Sequence, residues 1–310
     1  MVSRVTTSGN YAAVLANLLA AQQRQRVAGD TVATQKNGQN LKDYAKSSEL
    51  ITSMRTVQDR VGIFRDQRGL LSDKLATQDA ALVRVADATQ SIREAMAEAL
   101  ATGRVDTLVE EIGSQLSNAV DALNSKYGGK YLFAGGQVDT QPVTATKLAD
   151  LTAPPAIIAN FFKNDDFQVQ AKLDESTTIN TGFLASDIAT GLLTALKSFQ
   201  SFQEGGSGPF TGALTDAQKT FLEGQLAGLD TIRQDVTLKV ARNGTNQKRI
   251  DTVGSNLEIR HNALTGMLGD ITDADLALAS ANLQQARLSL QSAAYVFQSL
   301  QQSSLINVLK

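Results

Sequence analysis

The most regular pattern in this sequence is residues 57–99, VQDRVGIFRDQRGLLSDKLATQDAALVRVADATQSIREAMAEA, where apolar side chains recur in alternating steps of four and three. A 3.5-residue period held for about six heptads is typical of a coiled-coil seam. The pattern therefore predicts one long helix that needs a partner helix. The predicted seam residues are Val57, Val61, Phe64, Leu71, Leu75, Leu82, Val85 and Ile92, and the polar interruptions are Arg68, Gln78 and Thr89.

A second seam of the same period lies near the end of the chain. It consists of Leu276, Ala279, Leu283, Ala286, Leu290, Ala293, Phe297 and Leu300, and its small residues favour close helix approach. Thr272 is predicted to cap this helix, with Asp275 completing a capping box. Another helix is predicted before it, from about Asp216 to about Gly266, with a bend or break at Asn243-Gly244.

The middle of the chain differs in composition from both ends. All four prolines lie between positions 142 and 209, and eleven of the sixteen aromatic residues lie between positions 127 and 221. Because proline inside a helix costs about 3 kcal/mol, long helices are predicted only on either side of this region. The predicted fold class is mostly α: an antiparallel coiled coil or helical bundle formed by the N- and C-terminal arms, with a small α+β insertion domain at the tip.

These patterns divide the chain into five predicted segments. They are an N-terminal assembly segment (1–50) that is disordered before assembly, an N-terminal helical arm (51–140), an α+β insertion domain (141–210), a C-terminal helical arm (211–268) and a C-terminal assembly helix (269–310). Short strands are predicted at 130–136 and 166–173, followed by a helix at 188–202.

Two strongly apolar stretches near the chain ends have no obvious partner within the sequence. Exposed stripes of this kind are typical of interfaces between subunits, or of segments that fold only on assembly. We therefore expect these residues to become helical between copies of the chain. The predicted assembly residues are Tyr11, Val14, Leu15, Leu18, Leu283, Leu290, Phe297, Leu300 and Leu305.

Composition argues against several functional classes. With 29 basic and 31 acidic residues, the chain lacks the basic excess typical of nucleic-acid or anionic-membrane binding. It has no cysteine, and its single histidine, His261, has no pattern of metal ligands around it. The segment Gly128-Gly129-Lys130 does not match a phosphate-binding loop. We expect no cofactor, no metal site, no membrane insertion and no enzyme activity.

Two motifs resemble a known family. Residues 269–277 (GDITDADLA), residues 283–286 (LQQA) and residues 301–306 (QQSSLI) resemble the C-terminal region of the flagellin superfamily. Residues 129–142 (GKYLFAGGQVDTQP) resemble the strand and turn that follow the second long helix in the hook-associated protein 3 family. The matching positions of that motif are Tyr131, Leu132, Phe133, Gly135, Gly136, Asp139, Thr140 and Pro142.

The resemblance implies a structural subunit of the bacterial flagellum, an adaptor of the hook–filament junction that polymerises through its N- and C-terminal helices. It also implies export through the flagellar secretion apparatus, a chaperone on the C-terminal segment, an extracellular location, and contacts with a neighbouring junction protein and flagellin. One departure is Thr34-Gln35-Lys36-Asn37-Gly38, where the family has a Ser-Gly-Lys or Ser-Gly-Arg turn. The alternatives are a filament-forming flagellin and an intracellular coiled-coil scaffold.

Overall fold

The computed structural model describes residues 2–308, and the side chains of residues 9–302. Within these residues there are six α-helices: α1 (Val2–Thr34), α2 (Ser48–Thr102), α3 (Leu108–Leu123), α4 (Ala185–Glu204), α5 (Asp216–Thr272) and α6 (Leu276–Val308). Short 3₁₀ helices cover Leu41–Tyr44, Leu148–Leu151 and Ile158–Phe161. The predicted mostly-α class is confirmed. None of the helices in the described part of the chain is both long and apolar enough to span a membrane.

The chain divides into two compact units. Unit 1 contains residues 1–60 and 259–310, and unit 2 contains residues 61–258. The five segments predicted from the sequence group the residues differently, because α2 and α5 each contribute to both units.

Unit 2 contains one large apolar core. Its members come from α2, α3, α4 and α5, together with the segment after α3. Phe199 of α4 stacks on Phe210 with 4.9 Å between ring centroids. The α+β segment therefore shares its core with the helical arms. The largest fully buried side chains of this core are Leu82, Ile92, Met96, Ile112, Leu116, Leu123, Phe133, Leu151, Phe199 and Phe210.

The strands form two small antiparallel hairpins. Strand β1 (Lys126–Tyr127) pairs with β2 (Lys130–Tyr131), and β3 (Gln170–Lys172) pairs with β4 (Thr178–Asn180). Leu173 and Ile179, which flank and form the second hairpin, pack in a small apolar cluster with Leu75 of α2 and Ile250 of α5. Burial of these aliphatic side chains attaches the hairpin to the two long helices.

Two local predictions need correction. Helix α5 runs unbroken through Asn243-Gly244, because Asn243 is buried and its side-chain amide donates to the Leu75 carbonyl at 2.9 Å. Thr272 does not cap α6, because it is the last residue of α5 and its hydroxyl donates to the Leu268 carbonyl. Asp275 is the cap instead, and its carboxylate accepts the backbone N–H of Ala277 at 2.9 Å.

Candidate assembly interface

The predicted seam of α2 is buried. Val61, Leu75, Leu82, Val85 and Ile92 are fully buried, while Val57, Phe64 and Leu71 are half-buried. In unit 2 the facing positions come from α5, including the buried residues Leu229, Val236 and Ile250. The heptad period thus identifies the face of α2 that packs within the chain.

Two of the three polar interruptions of the α2 seam have a partner outside the helix, and the third, Thr89, donates to the Val85 carbonyl of its own helix. The guanidinium of Arg68 lies across the backbone of Gly254, and its Nη2 is 3.8 Å from a carboxylate oxygen of Asp251. Gln78 is buried and its amide donates to the Thr181 carbonyl at 3.1 Å. Polar groups inside a coiled-coil seam fix the register of the helices at some cost in stability, provided that they are hydrogen-bonded.

A polar layer from α5 was not recognised in the sequence. Asn243 donates to the Leu75 carbonyl and, at 3.0 Å, to a carboxylate oxygen of Asp79, while Gln247 donates to the same carbonyl at 3.1 Å. Asn246 reaches the second hairpin and donates to the Asn180 carbonyl at 2.8 Å. This layer fills the gap between Val240 and Ile250 in the apolar pattern of α5. This gap is the sequence signal from which the polar layer could be predicted.

The family motif after α3 forms a tight, partly buried turn. The Tyr131 N–H donates to the Val138 carbonyl at 2.8 Å, and the Phe133 carbonyl accepts the N–H of Ala185 at the start of α4. Leu132, Phe133, Gly135 and Pro142 are buried, Tyr131 is half-buried, and Gly136, Asp139 and Thr140 are exposed. The motif therefore joins the end of α3 to α4.

Gly135 is at a position where no other residue fits. Its φ is +65°, and a Cβ added there would lie 2.2 Å from a carboxylate oxygen of Asp165. The same carboxylate accepts the Gly136 N–H at 2.7 Å. The glycine pair thus permits close approach of the 163–167 segment.

The two terminal helices pack against each other in unit 1. The ring of Tyr11 contacts that of Phe297, with 5.3 Å between centroids. Ala21, Ala279 and Ala286 are buried between the helices. The expectation that these two stretches lack a partner within the chain is therefore wrong, because α1 and α6 cover each other's seams.

Burial of the predicted assembly residues is incomplete. Leu15 remains 38% exposed, and the side chain of Leu305 lies outside the described residues. Tyr11 is 39% exposed. The other members, all half-buried, are Val14, Leu18, Leu283, Leu290, Phe297 and Leu300. Their role between subunits remains a prediction.

In unit 1, the segment that follows α1 is hydrogen-bonded to the segment where α5 ends and α6 begins. The Asn37 N–H donates to the Thr272 carbonyl at 2.8 Å, and the Ala274 N–H donates to the Gln35 carbonyl at 2.9 Å. Lys36 pairs with Asp273, and its ammonium group, together with the Thr272 hydroxyl, lowers the pKa of the Asp273 carboxyl. The segment that departs from the family turn thus contacts the centre of the GDITDADLA motif.

No group of three or more His, Cys, Asp or Glu side chains is placed to hold a metal ion among the described residues. His261 is half-buried on α5. The features that the structure does bring together are helix faces.

Comparison with known proteins identifies the C-terminal segment and the fold. Residues 226–309 match the family described as the bacterial flagellin C-terminal helical region, which confirms the superfamily expected from the GDITDADLA motif. The search of curated proteins found no match to this sequence. The match places a structural segment of flagellar proteins in α5 and α6.

Flagellar hook-associated proteins are among the solved structures of similar fold. A putative flagellar hook-associated protein from Vibrio parahaemolyticus has a TM-score of 0.61 and 14% identity, covering 74% of this chain and 100% of that one. FlgL from Bacillus cereus has a TM-score of 0.53 and 14% identity, covering 71% and 99%. FlgL from Xanthomonas campestris has a TM-score of 0.53 and 12% identity, covering 69% and 98%. The fold is shared with these proteins.

Proposed function

We propose that this chain, which carries a flagellin C-terminal region on the fold of hook-associated proteins, is an adaptor subunit of the hook–filament junction of a bacterial flagellum. The proposal rests on the combination of the flagellin C-terminal match with the hook-associated fold. The flagellin match alone would suit a filament subunit equally well. The hook-associated fold and the partly buried strand-turn motif at Tyr131 to Pro142 favour the junction.

The proposed role is structural. Subunits polymerise through the terminal helices α1 and α6 into a ring, with a neighbouring junction protein on one side and flagellin on the other. The chain has no cysteine, so no disulfide restricts its passage, unfolded, through the flagellar secretion apparatus. The extracellular location, an export chaperone on the C-terminal segment and the absence of enzyme activity are parts of the same proposal.

Removal of α6 tests this role. A chain that ends before Leu276 should keep a folded unit 2 but fail to form a junction, so that filaments detach from hooks. Because the deletion also uncovers the seam of α1, a second variant should lack residues 1–34 as well. Junction formation by either truncated chain, seen by electron microscopy of flagella, would contradict the proposal.

The filament-forming alternative has its own test. Purified full-length chain should not grow long filaments unaided, whereas a flagellin would. Detection of the protein only in the cytoplasm, and not in sheared flagella, would favour an intracellular scaffold.

A further inference from the structure

The chain contains two Asn-Gly pairs, and the structure places them in opposite environments. Asn37-Gly38 lies outside any helix or strand, and Asn37 is exposed. Asn243-Gly244 lies inside α5, and Asn243 is fully buried. An asparagine that precedes glycine loses its amide nitrogen more readily than other asparagines, because glycine has no side chain to restrict or obstruct attack by its backbone nitrogen. The two pairs are equally reactive by sequence and differ only in their surroundings.

The reaction at such a pair is deamidation through a cyclic imide. The glycine nitrogen attacks the side-chain amide carbon of the asparagine and forms a new N–C bond. The bond to Nδ2 breaks, and Nδ2 leaves as ammonia with the proton that the glycine nitrogen carried. Water then opens the ring at either carbonyl, adding hydroxyl to the carbon and returning a proton to the nitrogen. The products are aspartate and isoaspartate, and water is the only co-reactant.

The helical pair is protected from this reaction. Each interior N–H of an α-helix is bonded to the carbonyl four residues earlier, and helical torsions hold the next nitrogen away from the side chain. The side-chain amide of Asn243 also donates to the Leu75 carbonyl at 2.9 Å and to a carboxylate oxygen of Asp79 at 3.0 Å. Attack at this pair therefore requires opening of α5 against its buried seam.

The pair at Asn37 is held by local contacts alone. The Gly38 N–H donates to the Tyr44 hydroxyl at 2.8 Å, and the Asn37 side-chain amide donates to the Asp273 carbonyl at 2.8 Å. These two hydrogen bonds restrain both reacting groups. Because they lie in an irregular surface segment, a local fluctuation that breaks them does not require a helix to unfold.

Packing explains why a reactive pair occupies this position. A Cβ added at Gly38 would lie 2.5 Å from the Cβ of Asp43 and 3.2 Å from a ring carbon of Tyr44, so a larger residue does not fit. Asn37 in turn supplies the side-chain donor for the Asp273 carbonyl. The contacts of the folded segment thus favour both residues of the pair, and the reactivity of the pair is a consequence.

We propose that Asn37 is a site of spontaneous deamidation, and that the reaction weakens the contact between residues 35–38 and residues 272–274 of unit 1. The inference goes beyond the proposed function and does not depend on it, since it concerns the chemistry of the isolated chain.

Both products remove contacts that hold this segment. A carboxylate at position 37 has no proton to donate to the Asp273 carbonyl, and it places a negative charge beside that oxygen. Isoaspartate also adds one carbon to the backbone between positions 37 and 38, which displaces the Gly38 N–H from the Tyr44 hydroxyl. The modified segment is therefore expected to separate more readily from the start of α6.

Peptide mapping compares the two pairs within one sample. Trypsin releases residues 37–42 and residues 243–248, and each peptide begins with an Asn-Gly pair. The full-length chain is incubated at neutral pH in heavy-oxygen water and digested in ordinary water, so that only deamidation during the incubation adds the label. The label should accumulate in 37–42 several times faster than in 243–248. In urea, where both segments are unfolded, the two peptides should react at equal rates.

Two results of that experiment would overturn the inference. One is labelling of 243–248 in the folded chain as fast as that of 37–42. The other is a folded chain in which 37–42 stays unlabelled while it reacts in urea. In either case the surface contacts of Asn37 do not leave it open to the reaction.

A tyrosine substitution tests the restraint on the attacking nitrogen. Tyr44→Phe removes the hydroxyl that accepts the Gly38 N–H, so it should accelerate labelling of 37–42 severalfold and leave 243–248 unchanged. Tyr11→Phe is the matched control, because it removes a hydroxyl from α1 of the same unit, and it should change neither rate. Equal rates at position 37 in the two variants would contradict the role assigned to Tyr44.

The structural consequence is tested with the product charge built in. Asn37→Asp should accelerate hydrogen exchange of the Ala274 N–H, which is bonded to the Gln35 carbonyl, severalfold over the unmodified chain. Gln39→Glu makes the same amide-to-carboxylate change at an exposed position two residues away and should have no such effect. Unchanged exchange in Asn37→Asp, or the same acceleration in both variants, would overturn the predicted loosening.

Discussion

Two helix pairs in this molecule follow the same heptad rule but are completed in different ways. Along unit 2, α2 and α5 bury their seam, and hydrogen-bonded polar layers at Gln78 and Asn243 interrupt it. In unit 1, α1 and α6 leave most seam residues half-buried, and α6 exposes Leu288 and Tyr295. The α2–α5 pair is therefore packed within the chain, whereas the α1–α6 pair is only partly buried and, under the proposed function, is completed by neighbouring subunits.

Charged residues are also distributed differently between the α2–α5 pair and helix α6. Across the α2–α5 pair of unit 2, ion pairs border the seam: Arg65 with Glu258 at 3.3 Å and Arg93 with Asp230 at 2.7 Å. Exposed ion pairs contribute little to stability, typically under about 1 kcal/mol, but they keep an outer surface hydrated and non-adhesive. Helix α6 has one charged residue in 33 positions. A surface without such charges is suited to association.

The largest expected effect compares one leucine from each pair. Leu82→Ala, at a fully buried position of α2, should lower the free energy of unfolding of unit 2 by about 3 kcal/mol. Leu290→Ala, at a half-buried position of α6, should lower that of unit 1 by about 1 kcal/mol in the monomer. Native-state hydrogen exchange measured separately on α2 and α6 gives both values. Equal losses in the free energy of unfolding would show that the two helix pairs do not differ in how completely their seams are buried.

A pair of glycine substitutions tests how tightly the α2–α5 seam is packed. A Cβ on Gly254 would lie 2.1 Å from Nη1 and 2.4 Å from Cδ of Arg68, whereas Gly244 has nothing within 4 Å. Gly244→Ala should therefore stabilise the helix by about 0.5–1 kcal/mol, because alanine is the better helix former. Gly254→Ala should destabilise unit 2 by about 1 kcal/mol, since Arg68 must leave its place. If urea denaturation shows the same gain for both, the seam is looser than described.

A smaller effect is expected where α1 ends. Gln35 has a φ of +57°, a left-handed conformation that costs a residue with a side chain roughly 1 kcal/mol. Gln35 lies in the segment 34–38 that departs from the Ser-Gly-Lys or Ser-Gly-Arg turn of the family it resembles. Gln35→Gly should stabilise unit 1 by about 0.5 kcal/mol, after the greater freedom of glycine in the unfolded chain is subtracted.

The opposite substitution at that position is the matched control. Gln35→Val places a β-branched side chain in the left-handed region and should destabilise unit 1 by more than about 1 kcal/mol. Thermal unfolding followed by circular dichroism compares the two variants. If both substitutions shift the unfolding temperature in the same direction, the segment after α1 does not hold residue 35 in the left-handed conformation.

The apolar patterns of the sequence predict most of the fold, because a 3.5-residue period directly reports which helix face is buried. The long helix expected from the seam between Val57 and Ile92 is present, whereas the strand expected at 130–136 is confined to Lys130–Tyr131. The pattern does not say which helix is the partner. The apolar stretches of α1 and α6 therefore predict contacts between subunits, whereas in the structure the two helices pack on each other.

The other predictions that the structure corrects concern polar residues with a structural role. Asn243 looked like a helix breaker because asparagine before glycine usually marks a turn, yet its side chain is a buried seam residue. Thr272 looked like a cap, but its hydroxyl is used by the preceding helix. In each case the hydrogen-bond partner, Leu75 or Leu268, is supplied by the folded backbone, and its position cannot be predicted from residue types alone.

The central claim is that this chain is a subunit of the hook–filament junction. Immunogold electron microscopy of intact flagella, with an antibody raised against unit 2, tests it most directly. A junction subunit should give one narrow band of label where the hook meets the filament. Label distributed along the whole filament, or confined to the cell body, would contradict it.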